Sequence, residues 1–227
     1  MLTAVSAEVD LLTHQIRPAA DGRPAGALVL LHGRGTNEFD LLPLLDELDP
    51  ERRLVGVTPR APLELSPGGF HWYVTRQVGY PDPDTFRDAF ALLARWLDAL
   101  PDALGVPWAR TILGGFSMGA VMSYALGLGT GRPAPAGVIA LSGFIPSVDG
   151  WALDTAQLAQ GYPVAIGHGI EDPVISVQFG RQARRTLEAA GARVTYRESP
   201  MFHSVDPMFL RDLRGWVTEV LDGVAAA

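Results

Sequence analysis

The stretch that most limits how this chain can fold begins at Thr111. The apolar run Thr111-Ile112-Leu113 leads into Gly114-Gly115-Phe116-Ser117-Met118-Gly119-Ala120, and a segment of Ala, Val, Met, Tyr and Leu follows. That pattern is a strand, a sharp turn and a helix, with the turn written Gly-x-Ser-x-Gly. A serine at the apex of such a turn has a strained backbone and lifts its hydroxyl above the sheet. The flanking glycines are required because a Cβ at either place would meet the neighbouring strand or helix. The helix that starts there also aims its free N–H groups and the positive end of its dipole at any anion forming beside the serine.

The rest of the chain alternates in the same way. Ala27-Leu28-Val29-Leu30-Leu31 is a continuous apolar run between glycines, as a strand buried on both faces should be. Residues 137–143 and 162–167 read alike, 53–58 and 193–196 give shorter strands, and 9–17 gives an opening one. Leu41, Leu42, Leu44, Leu45 and Leu48 mark one helix. A second, capped by Asp84, carries Phe86, Phe90, Leu93, Leu97 and Leu100 at three- and four-residue spacing. Residues 177–190 make a third, stopped by Gly191, and Asp206-Pro207 opens a last one with Phe209, Leu210, Leu213, Trp216, Val217 and Val220 on its buried face. Residues 61–83 hold Pro, Gly and aromatics without a period, which marks a long connection. Strands alternating with helices predict an α/β fold with a mostly parallel sheet covered on both faces, in one domain over 1–227.

Composition removes several classes of function. A formal charge of −7 and the absence of any Lys/Arg block argue against DNA or RNA as a partner. With no cysteine, disulfides, thiolate metal sites and a cysteine nucleophile are all excluded. Residues 1–10 have no basic, apolar leader and no run reaches 18 apolar residues, so the expectation is a cytoplasmic protein without a membrane span. Gly33-x-Gly35 lacks the third glycine of a dinucleotide loop, and no Gly-Lys-Ser/Thr loop exists.

A serine hydroxyl is a weak nucleophile until a base takes its proton, and histidine titrates in the useful range. Of five histidines, His14 lies in the opening strand, His32 precedes a Gly-x-Gly turn that it would shape, His71 sits in the aromatic connection within reach of a substrate, and His168 comes before the plausible acid. His203, between the last strand and last helix, is the best base. The acid must hold the imidazole in one tautomer. Asp172 follows a buried strand at the edge where active-site groups collect, and Pro173 fixes the backbone after it. Asp206 is explained by capping, while Asp149 and Asp154 stay open as alternatives. Ser117, Asp172 and His203 follow the chain order Ser…Asp…His of α/β-hydrolases. For the oxyanion hole, the candidates are the backbone N–H groups of Met118, directly after the serine, and Arg34, in the early glycine-rich loop. Trp72, Tyr73, Phe144, Ile145, Val174 and Phe202 lie near these motifs and are candidates to line an apolar acyl pocket, with core packing the competing role.

The chain resembles the phospholipase/carboxylesterase family of small α/β-hydrolases, which includes bacterial carboxylesterases and acyl-protein thioesterases. The resemblance is carried by Leu31-His32-Gly33-Arg34-Gly35, Arg60-Ala61-Pro62, Phe70-His71-Trp72-Tyr73, Gly115-Phe116-Ser117-Met118-Gly119, His168-Gly169-Ile170-Glu171-Asp172-Pro173-Val174 and His203. It implies an α/β-hydrolase fold with no separate cap domain, no cofactor and no metal, and hydrolysis of small acyl esters. Family members resembling the thioesterases commonly carry Gln where this chain has Met118, so a polar side-chain contact is missing. Thioester or lysophospholipid hydrolysis, perhydrolysis and a non-catalytic binding module on the same fold are the alternatives. Dienelactone hydrolysis is disfavoured by the missing cysteine. A homodimer joined through an apolar rim at the pocket is compatible with this reading, although the sequence shows no such rim.

Overall fold

A computed structural model describes residues 9–225. The expectation for residues 1–10 falls, apart from Val9 and Asp10, outside the described residues. The elements run β1 (His14–Arg17), β2 (Ala27–Leu31), α1 (Leu42–Leu48), β3 (Val55–Pro59), β4 (Leu63–Glu64), β5 (Phe70–His71), β6 (Thr75–Gln77), β7 (Tyr80–Pro81) and α2 (Pro83–Leu104). Then come β8 (Thr111–Phe116), α3 (Met118–Leu128), β9 (Gly137–Leu141), α4 (Thr155–Leu158), β10 (Pro163–Gly169), α5 (Val177–Ala189), β11 (Arg193–Ser199) and α6 (Pro207–Ala225). Seven strands form one sheet in the order β1-β3-β2-β8-β9-β10-β11. Only β1 is antiparallel to its neighbour; the other pairs are parallel.

The continuous apolar runs are explained by a sheet with no wet face. Successive side chains point to opposite sides, and both sides are packed. Val29, Leu31 and Leu113 join the layer containing Phe86, Leu93 and Leu97 of α2 with Val121 and Met122 of α3. Leu28, Leu30, Ile112 and Ile139 join the layer under α1 and α6, with Leu45, Phe209, Leu213 and Trp216. On the α3 side, Val138, Val164 and Ile166 meet Ala183 and Leu187 of α5.

Several boundaries differ from the sequence expectation. The opening strand is four residues long because only His14–Arg17 finds partners, Pro59 to Gly56 on β3. The second long helix is capped by Asp82, whose Oδ1 accepts the Thr85 N–H at 3.1 Å, and not by Asp84. Pro83 at the first helical position moves the start upstream. The 61–83 connection carries two small hairpins, β4–β5 and β6–β7. β10 runs on through His168 and Gly169, two residues past the expected end at 167, because both pair with β11. No helix among the described residues is long and apolar enough to cross a membrane.

Because β2, β8, β10 and β11 run parallel, their carboxyl ends open onto one edge. His32, Ser117, Asp172 and His203 all lie in the loops that leave it.

Candidate active site

Ser117 follows directly on β8 with φ 55° and ψ −118°, a conformation that L-residues avoid. The surrounding packing forces it. A Cβ on Gly119 would lie 1.9 Å from the Leu31 carbonyl oxygen, and one on Gly115 would lie 2.5 Å from the backbone of Gly119. The helix N-terminus is therefore pressed against the end of β2, and the serine is the residue that turns the corner. Its N–H donates to the Leu141 carbonyl at 2.8 Å, which fixes the apex to β9.

The loop after β2 is braced from below. Buried His32 accepts the Ala61 N–H at its Nε2 (2.9 Å), and its Nδ1–H donates to the Gly33 carbonyl at 2.7 Å. One ring nitrogen accepts while the other donates, so the ring is neutral. Burial agrees, holding its pKa below the usual value. Trp72 Nε1–H donates to the His32 carbonyl at 2.9 Å, and Arg60 grips Glu38 with two hydrogen bonds of 2.6 and 2.5 Å. That ion pair depresses the Glu38 pKa. Gly35 N–H donates to Phe70 and Phe70 N–H to Thr36, each at 2.8 Å. The family-like motifs around residues 32, 60 and 70 are thus parts of one brace. The backbone N–H groups of Arg34 and Met118 have no acceptor among the described residues, and both residues line the cleft at Ser117.

Asp172 has a fully buried carboxylate. Oδ1 accepts the N–H groups of Val174 and Ile175, both at 2.8 Å. Oδ2 lies 2.6 Å from His203 Nδ1. An ionised carboxylate only accepts, so Nδ1 donates and Nε2 is left as the acceptor. Nε2 lies 2.8 Å from Ser117 Oγ. His203 keeps 17% exposure, so one edge of its ring reaches solvent. Its loop rests on the end of β10, where a Cβ on Gly169 would lie 2.2 Å from the Phe202 carbonyl. Phe116 packs on the ring at 4.8 Å between centroids. A hydroxyl, an imidazole and a carboxylate in this order can move the serine proton to His203 while Asp172 faces the positive ring.

The other candidates fall elsewhere. Asp154 caps α4 through Gln157 N–H, Asp149 is an exposed turn residue, and Asp206 caps α6 through Met208 N–H. His14 packs edge-on to Trp96. His71 is buried, with Nδ1 3.0 Å from the Tyr73 carbonyl, so it faces the core and not the cleft. His168 is fully buried and its Nε2–H donates to the Ile175 carbonyl at 2.7 Å. It thereby ties down the same loop whose N–H groups hold Asp172, and burial lowers its pKa.

A cleft of about 300 Å³ opens at Ser117. Of the residues expected to line it, Tyr73, Phe144 and Val174 do so. Trp72 lies in the core, with its N–H donating to Met118 Sδ at 3.3 Å. Ile145 lines an adjoining cavity together with Phe179, and Phe202 is exposed outside the cleft. Thr75, Val78 and Ile175 complete the lining; the first two come from the segment without periodicity, where sequence offers no signal. Among the described residues no group of three or more His, Asp or Glu side chains is arranged to hold a metal ion.

Residues 15–221 match the family model described as phospholipase/carboxylesterase. The chain belongs to that family. Acyl-protein thioesterase 1 of Cryptococcus neoformans var. neoformans serotype D is 28% identical over 219 residues, covering 86% of this chain and 92% of the relative. Lysophospholipase-like protein 1 of Mus musculus is 25% identical, over 98% and 97%. Among solved structures, esterase PE8 superposes with a TM-score of 0.78 at 27% identity, over 92% of this chain and 99% of that one. The Bacillus cereus carboxylesterase gives a TM-score of 0.80 at 24% identity, over 96% and 100%. This member of the phospholipase/carboxylesterase family is a carboxylic-ester hydrolase on an α/β-hydrolase fold.

Proposed function

We propose that the chain is a serine carboxylesterase that cleaves small to medium acyl esters through an acyl-Ser117 intermediate. The observation that carries this reading is the relay of 2.8 and 2.6 Å from Ser117 through His203 to Asp172 beside an open cleft. His203 Nε2 takes the Ser117 proton as Oγ attacks the ester carbonyl. The developing oxyanion is held by the free N–H groups of Arg34 and Met118, and donors set in place before reaction pay no reorganisation cost when the charge appears. The protonated His203, facing the Asp172 carboxylate, then gives its proton to the leaving alcohol. Water enters in the second half, and the same groups hydrolyse the acyl-enzyme. One domain spanning 1–227 carries these parts, a reading supported by a single seven-stranded sheet that draws strands from His14 to Ser199.

A second reading, thioester hydrolysis, is favoured by relatives named acyl-protein thioesterase. The buried Met118 thioether, engaged by Trp72 N–H, weighs against it by offering the substrate no polar group. A fluorophosphonate probe should label the wild-type chain and not Ser117→Ala. Rates on p-nitrophenyl esters of increasing acyl length, with a matched acyl thioester alongside, then rank the two readings. Labelling that survives in Ser117→Ala places the nucleophile elsewhere.

A further inference from the structure

Among the described residues, Arg34 is the only charged one that lines the cleft at Ser117. Its side chain is exposed and makes no hydrogen bond or ion pair among the described residues. Nearby guanidinium groups are engaged: Arg60 with Glu38, and Arg76 with Asp82 at 2.5 Å. Carboxylates are not scarce, since the chain has 25 acidic residues against 18 basic ones, all arginine. What sets Arg34 apart is its place in the wall of the cleft at Ser117. Its base is fixed on both sides, by the His32 ring bonded to the Gly33 carbonyl and by Gly35 and Thr36 paired with Phe70. A rigid base and an unpartnered cation beside a nucleophile make a recognition element for an anion.

The cleft includes Ser117 but not His203. The leaving alcohol must lie beside His203 Nε2 to receive its proton, so the acyl part of the ester occupies the cleft. We propose that the enzyme prefers esters whose acyl group carries a carboxylate, half-esters of short dicarboxylic acids, with the Arg34 guanidinium gripping the carboxylate through both oxygens. This rests on the roles given above to Ser117 and His203. One planar guanidinium matches one planar monoanion, and among the described residues no second cation lines the cleft for a phosphate dianion. The cleft volume of about 300 Å³ suits a short acid.

The test compares hydrolysis of monomethyl and dimethyl glutarate by the full chain in a pH-stat near pH 7.5. Wild type should favour the monoester in kcat/KM. Arg34→Ala should lower the monoester-to-diester ratio by about 10- to 100-fold, the worth of a charge-assisted hydrogen bond, mainly through KM. Both esters use the same backbone N–H of residue 34, so any damage to that donor cancels in the ratio. Arg34→Lys should retain part of the preference, and added salt should erode it in wild type. A wild-type preference for the diester, or an unchanged ratio in Arg34→Ala, overturns the proposal. Hydrolysis of both esters by Ser117→Ala would bring down the site assignment as well, which separates the two failures.

Discussion

Asp172→Asn should abolish turnover without unfolding the protein, and the structure says which way the new amide must face. The Val174 and Ile175 N–H groups both donate to Oδ1 at 2.8 Å. An amide NH2 placed there would set donors against donors, so the asparagine oxygen takes that position and the NH2 faces His203. Nδ1, now opposite a donor, must accept. The neutral ring then carries its proton on Nε2, which points at Ser117 Oγ and can no longer receive a proton from it. A wrong-tautomer substitution of this kind costs about 10⁴-fold in kcat, equivalent to about 5 kcal/mol of barrier. Asp172→Ala is the contrasting variant. It leaves the part-buried Val174 N–H and the buried Ile175 N–H without an acceptor, the second at about 1–3 kcal/mol. Steady-state rates on p-nitrophenyl acetate and urea unfolding of both variants separate the effects. The Asn protein should lose rate and keep stability, while the Ala protein should lose both. A loss in kcat of less than tenfold for Asp172→Asn would refute the tautomer argument, and equal stabilities would refute the account of Oδ1.

Gly119→Ala should destabilise the fold by about 3 kcal/mol or more, because its Cβ would lie 1.9 Å from the Leu31 carbonyl oxygen and backbone there cannot give way. Gly68→Ala, with nothing within 4 Å and no positive φ, is the control; equal melting temperatures for the two would contradict the packing. Stability should also fall with acidity from pH 6.5 downward. Burial depresses the His32 and His168 pKa values, so below 6.5 the unfolded chain binds protons that the native state refuses. Each histidine contributes up to about 1.4 kcal/mol per pH unit, until pH reaches its lowered native value. Glu38 and Glu198, the latter held down to about 2 by its hydrogen bonds with Arg181, act in the same sense only once unfolded carboxylates protonate, near 4.5 and below. Urea unfolding that gives equal stabilities at pH 7.5 and 5.5 would refute the buried neutral rings.

The strands most legible in the sequence are those buried on both faces. Ala27–Leu31 and Gly137–Leu141 have no polar member; the second stops two residues short of the expected 143, where Ser142 takes a positive φ. The edge is less legible, because β1 is defined by its four partners on β3 and not by its own pattern. Hairpins β4–β5 and β6–β7 are two or three residues a strand, too short for any period to register. At the site, side chains with distinctive chemistry could be ordered along the chain, so Ser117, Asp172 and His203 stand out. What holds them there is mostly backbone, namely the Val174 and Ile175 N–H groups, the Ile175 carbonyl on His168 and the Gly169 contact with Phe202. Backbone groups leave no trace in residue identity. The same limit applies to Trp72, whose neighbours in the motif suggested the cleft while its own indole is the brace beneath it.

The most direct measurement is a rapid acid quench of the full chain during its first turnovers of p-nitrophenyl acetate, followed by peptide mass spectrometry. The account predicts one added acetyl group, on the peptide that contains Ser117. An acetyl group on another residue, or a burst of p-nitrophenol with no acylated peptide, would contradict it.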